Sequence, residues 1–222
     1  MQGNNRSFNA LLPWLIWLIA ALFVIFQQFI GTFFSLIAPV FQANFNIQNT
    51  QVETITTIYF LSYGIMQIPA GLILDKFNIK PVLIAALLCT SAGTLLLMLV
   101  PFYFSALLAV VLLGIGTSFA YVCAIILFIQ WFKQSRFAFV LGLMAGMGNV
   151  GMAILSYFTV ANSSSTSLRT MLILLTLFAL LILIGILIFI RSKPSATLTQ
   201  PPTNTQSIFQ SLIHVKKTET TG

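Results

Sequence analysis

Long apolar runs, separated by short polar stretches, organise this chain. A helix crosses the hydrocarbon core of a bilayer with about 20 residues. Six runs reach that length, over 11–38, 54–74, 81–100, 102–127, 137–160 and 169–190. Pro13 and Pro81 suit first-turn positions of helices, and Pro101 marks a tight turn between the third and fourth runs. Trp14 and Trp17 stand near one end of the first run, where interfacial rings are favoured. The pattern predicts an all-α integral membrane protein in three parts. These are an N-terminal segment over 1–10, a six-helix bundle over 11–190, and a linker and tail over 191–222.

Composition agrees. Of 222 residues, 59% are hydrophobic and 6% charged, whereas a soluble domain carries about 25% charged residues. The net charge of +7 does not point to nucleic acid, because the bases form no stripe. They mark topology instead. Arg6, Lys76, Lys80, Lys133, Arg136, Arg191 and Lys193 all fall on one side, and of the bases near the spans only Arg169 abuts the other. The positive-inside rule then places both termini in the cytoplasm. The expected setting is a cell (inner) membrane, and the expected source is bacterial. The lipid bilayer is the first partner.

Several features carry no chemistry. Cys89 and Cys123 lie in apolar runs without a CxxC and read as small buried hydrophobes. His214 has no ligand-type neighbours, so no metal site is expected. The segment 207–217 has helix-like apolar spacing and reads as a basic amphipathic helix on the cytoplasmic surface, or else as a disordered tail. Gly146, Gly148 and Gly151 fit G-x-G-x-x-G, but the fingerprint needs a strand before it and a βαβ unit around it. Here, with Gly142, these glycines form a smooth helix face for close packing. No cofactor is implied, and no enzyme constellation is present.

Polar residues at membrane depth do suggest chemistry. Gln27 and Gln28 lie near the middle of the first span. Tyr59, Tyr63 and Gln67 are spaced by four in the second, and so share a face. Tyr121 lies in the fourth span and Asn149 in the fifth. Such side chains face a bundle interior or a cavity, and together they outline a candidate site for a small-molecule solute. The competing reading for each is interhelical hydrogen bonding, worth about 0.6 kcal/mol. No acid or base lies deep in a span. Glu53 stands at the edge of the second span.

The stretch Gly71-Leu-Ile-Leu-Asp75-Lys76-Phe-Asn78-Ile-Lys80 links spans two and three. The bases suit a cytoplasmic loop, Gly71 suits close helix approach, and Asn78 tolerates a left-handed turn. The stretch resembles the loop signature G-x-L-x-D-R-x-G-R-[RK] of the major facilitator superfamily. Gly71, Asp75 and Lys80 match, Lys76 is a conservative change, and Asn78 and Ile79 depart. Tyr63 to Gly71, Gln130-Trp131-Phe132 and Gly142 are also similar to family members. The resemblance implies a six-helix half of a transporter, built from two inverted three-helix repeats. The match of Ile30-Gly31-Thr32-Phe33-Phe34 to Ile115-Gly116-Thr117-Ser118-Phe119 is the expected trace of that repeat. For Asp75 the resemblance implies a gating contact with the other half. The alternative is a solvated acid that caps span three.

Two departures qualify the resemblance. Members have about twelve spans, so this chain is expected to be half-length. Its second six-helix half would be another chain or a homodimeric copy. Val110 stands where the fourth span of many members carries an arginine before G-x-G, which here is Gly114-Ile-Gly116. The expected function is transport of a small polar organic solute by alternating access. The rival is a truncated, non-transporting remnant or a membrane interaction protein.

Overall fold

A computed structural model describes residues 3–162 and 167–190, with side chains from Leu12 onward. The expected amphipathic segment at 207–217, His214, Arg191 and Lys193 lie outside the described residues, as does the side chain of Arg6. Without water, backbone groups must find partners within their own segment, which favours helices. The described residues form α1 Gly3–Leu36, α2 Ala38–Phe45, α3 Asn49–Lys76, α4 Ile79–Leu99, α5 Tyr103–Trp131, α6 Phe137–Asn162 and α7 Leu168–Phe189. A single 3-10 turn, Gln134–Arg136, precedes α6. No strand occurs among the described residues. Every helix except α2 is long and apolar enough to cross a membrane.

The helix limits correct several expectations. Helix α1 begins at Gly3, so Pro13 lies inside it and not in its first turn. The chain breaks at Ile37, and Pro39 lies in the first turn of α2, where polar and apolar residues alternate too irregularly for hydropathy to find a helix. Asn46 ends α2 at φ 52° and ψ 50°, the sole positive φ at a non-glycine among the described residues. Asn78 needs no left-handed turn. It sits at φ −62° and ψ 140° as the residue before α4, and Phe77 beside it is also extended. Two extended residues suffice to turn α3 into α4. Pro101 does occupy the short turn into α5, which Ser105 holds by donating to the carbonyls of Val100 and Phe102.

Packing follows the expected inverted repeat. Helix α5 packs on α3 and α4, and α1 packs on α6 and α7. Exchange α1 with α5, α3 with α6 and α4 with α7, and these pairings map onto each other. The contacts α1 with α5 and α4 with α7 map onto themselves. The short match around Gly31 and Gly116 does not extend to equivalent surroundings, however. Gly31 faces Phe60 on α3, whereas Gly116 faces Thr90 and Ala86 on α4.

Glycine is what lets α5 sit between its neighbours. A Cβ on Gly116 would lie 2.6 Å from the Ala86 carbonyl oxygen and closer still to the Thr90 hydroxyl. A Cβ on Gly114 would lie 2.8 Å from the Tyr59 carbonyl oxygen on α3 and would strike the Ser62 hydroxyl. Two positions along a helix turn the chain by about 200°, so these glycines serve opposite neighbours. Thr94 adds a polar tie by accepting from Thr176 on α7 at 2.9 Å. Trp17 is buried and donates from Nε1 to the Val140 carbonyl at 3.3 Å. It joins α1 to α6 and does not serve as the interfacial ring expected of it, whereas Trp14 stays 39% exposed.

Alanine in place of glycine favours an isolated helix by about 1 kcal/mol, while overpacking costs about 1–3 kcal/mol. Gly116→Ala is therefore expected to destabilise the bundle by up to about 2 kcal/mol, since the added Cβ meets backbone as well as a side chain. Gly146→Ala, whose Cβ meets nothing within 4 Å, is expected to leave it unchanged or slightly firmer. Thermal unfolding of both variants in detergent checks this, and equal midpoints would exclude the close α4–α5 contact.

Candidate functional site

Asp75 lies in the last turn of α3 and is exposed. Carbonyls dominate a helix C-terminus, so an acid there is disfavoured by about 0.3–1 kcal/mol. Among the described residues the Asp75 carboxylate makes no hydrogen bond or ion pair, even though Lys76 is its neighbour. It does not cap α4 either, since Asn78 holds that position without a side-chain bond. Lys80 behaves differently. It donates from Nζ to the Leu187 carbonyl at 3.0 Å and so ties the start of α4 to the last turn of α7. A cation suits a helix C-terminus. Gly71, expected at a close helix contact, meets nothing within 4 Å in this bundle.

The polar residues at membrane depth divide into two groups. Gln27 and Tyr59 are buried in the core. The Tyr59 hydroxyl donates to the Gln27 carbonyl at 3.2 Å and lies 3.2 Å from the Thr117 hydroxyl, joining α1, α3 and α5. Gln28, Tyr63, Gln67 and Tyr121 are half-buried, and Asn149 is exposed. Tyr63 stacks on Tyr59 with ring centroids 6.3 Å apart, and its hydroxyl neighbours Gln67 and Tyr121. Gln28 reaches across to Gly148 on α6, next to Asn149. Asn149 donates to the Ala145 carbonyl of its own helix at 2.9 Å. These half-buried and exposed polar residues are spread over four helices, α1, α3, α5 and α6. Uncharged hydroxyl and amide groups in this arrangement can exchange hydrogen bonds with a polar solute without the cost of burying a charge.

The faces of α3 and α6 stand apart from the rest. Both are the least buried of the spanning helices within this bundle. They are also the least apolar, with mean hydropathy 1.4 and 1.8 against 3.3 for α7. Gly64, Gly71, Gly142 and Gly146 all meet nothing within 4 Å, and all four lie on α3 or α6. The smooth face expected on α6 therefore splits. Gly148 and Gly151 pack against Val24 and Ile25 of α1, while Gly142 and Gly146 remain open.

Sequence reasoning passed over Thr117. Its hydroxyl bonds its own helix at Leu113, 2.7 Å away, as threonines in apolar helices commonly do. Only the crossing of α3 over α5 brings Tyr59 to it. Val110, standing where a base was sought, is fully buried in the core. An unpaired cation at such depth would cost several kcal/mol.

The family model described as Major Facilitator Superfamily matches residues 15–219. No curated protein matches the chain.

Tyr59→Phe removes a hydroxyl that serves two helices and is expected to destabilise the bundle by about 0.5–1.5 kcal/mol. Tyr63→Phe is expected to leave stability within about 0.5 kcal/mol. Unfolding midpoints in detergent distinguish the two, and the reverse order would mean that Tyr63 is the structural tyrosine.

Proposed function

The chain belongs to the Major Facilitator Superfamily, and from that premise we propose that it moves a small polar organic solute across a cell (inner) membrane by alternating access. The family consists of transporters and not enzymes, and this member is a multi-pass membrane protein. In the proposed mechanism the bundle is one of two, and the second packs on the open faces of α3 and α6. The observation that carries the proposal is the coincidence on those helices of low hydropathy, low burial and unfilled glycines. A face turned to lipid gains from apolar bulk, as on α7. A face turned to another bundle gains from small residues that permit close approach.

On this reading Gln28, Tyr63, Gln67, Tyr121 and Asn149 edge a cavity between the bundles. Polar residues at that depth suit a solute path because water or solute satisfies them. Rocking of one bundle against the other about a central site exposes it to either side in turn. Asp75 supplies the bias. An unpartnered carboxylate at the end of α3 gains most by meeting a helix N-terminus or a base of the second bundle, and that contact exists in only one of two states. The basic loops support a cytoplasmic position for that end and for both termini. Lys76, Asn78 and Lys80 lie at or next to the turn that presents the acid, and Gly71 lies about one helical turn before it in α3.

Two measurements test the proposal. Single cysteines at Gln67 and Asn149, in a chain with Cys89 and Cys123 replaced by alanine, are expected to react with a membrane-impermeant maleimide. The rate should exceed that of a cysteine at Leu181 on α7 at least tenfold. Equal, slow labelling would place the open faces in lipid and sink the two-bundle arrangement. Asp75→Asn is expected to leave the unfolding midpoint unchanged and to lower uptake of a transported solute in vesicles about tenfold or more. Undiminished uptake would remove Asp75 from the gate.

A further inference from the structure

A cavity lies between α1, α6 and α7, and none of the polar residues just described lines it. It holds about 470 Å³, within the range of small-molecule sites. Helices α6 and α7 both pack on α1 but hardly on each other, and the space between them forms a crevice with α1 as its floor. Phe29 and Phe33 of α1 line the floor, and Leu155, Leu175 and Phe178 line the walls. Phe158 on α6 and Leu174 on α7 also border it, and they are 59% and 60% exposed. They therefore mark a mouth that opens sideways, continuous with the exposed apolar residues Leu177 and Leu181 further along α7.

The lining changes along its length. Toward the end of α6 and the start of α7 it becomes polar, with Thr159, Asn162 and Thr170. Deeper in the span every lining residue is apolar. The crevice covers Leu155 to Asn162 on one wall and Thr170 to Phe178 on the other, about 12 Å at 1.5 Å per residue. One leaflet of hydrocarbon is about 15 Å deep. The polar rim therefore sits at the level of the interface, and the apolar part runs toward the bilayer centre. Arg169 is exposed, but helical spacing turns it to the other side of α7, away from Thr170 and Leu174.

We propose that this crevice binds one acyl chain of a membrane glycerolipid, with the lipid's ester and glycerol oxygens on the rim of Thr159, Asn162 and Thr170. The gradient from polar to apolar, its depth and its lateral mouth match that ligand, and the neutral rim selects no headgroup charge. The site rests on the chain's being embedded in a bilayer. It does not depend on the transport reading, since it lies on the far side of α6 from Gly142 and Gly146.

The test is photo-cross-linking of the full chain in vesicles of phosphatidylglycerol and phosphatidylethanolamine. These contain a phosphatidylcholine reporter with a diazirine in its acyl chain, and adducts are mapped by peptide mass spectrometry. Adducts are expected to concentrate on 155–162 and 170–178, at least fivefold above the lipid-facing stretch 180–188 of α7. Leu174→Trp, a change at an exposed position that closes the mouth, is expected to reduce them to the level of that stretch. A phosphatidylglycerol reporter is expected to give the same yield within twofold. Adducts spread evenly over all exposed faces, or unaffected by Leu174→Trp, would overturn the site. A tenfold preference for the anionic reporter would overturn the neutral-rim assignment.

Discussion

Gly114 and Gly116 let α5 touch α3 on one side and α4 on the other at backbone distance. Between helices in a membrane there is no hydrophobic drive, because lipid tails are as apolar as leucine. Packing must come from contact, and contact grows as backbones approach. With α5 held in this way, the crossing that brings Tyr59 to Thr117 is fixed, and so is the outward turn of the remaining faces of α3. The same logic holds in the other repeat, where Gly151 lets α6 lie against Ile25 of α1.

Within this frame the polar groups separate by role. Those that join helices are short and satisfied, such as Thr94 with Thr176 and Tyr59 with Thr117. Those proposed to meet a solute, Gln28, Tyr63, Gln67, Tyr121 and Asn149, are only half-buried or exposed. The loop between α3 and α4 shows the same separation. Lys80 is bonded to α7 and braces the bundle, whereas Asp75, five residues before it, has no bond among the described residues. One short loop thus contains a fixed brace and an unsatisfied charge.

Much of the fold was legible because a bilayer sets a length that hydropathy reads directly. All six spans appear, and most of their ends fall within a few residues of the pattern. The larger misses have physical causes. Helix α3 starts at Asn49 because its first turns are polar, and hydropathy does not register a helix that extends beyond hydrocarbon. Pro13 is tolerated inside α1, as proline often is in membrane helices. Asn46 and not Asn78 adopts the left-handed conformation, since that choice depends on how two helices meet and not on residue type. For the polar site the sequence supplied the residue list but not the division within it. Spacing by four put Tyr59 and Tyr63 on one face, and only the crossing with α5 shows that the first is enclosed and the second half-buried. The acyl-chain crevice left no trace in the sequence, because its walls are the ordinary apolar residues of three separate helices.

Charge is confined to the ends of the described spans. Glu53 stands near one end of α3 and Asp75 near the other, while Lys76, Lys80, Lys133, Arg136 and Arg169 all lie at or beyond helix ends. Across a membrane under voltage, each elementary charge moved through the full field changes the energy by about 2.3 kcal/mol per 100 mV. The rocking proposed for this bundle would move almost none of the described side-chain charge through that field. In the proposed cycle the membrane potential therefore has little hold on this bundle, and voltage dependence would enter through the charge of the solute or through the proposed second bundle.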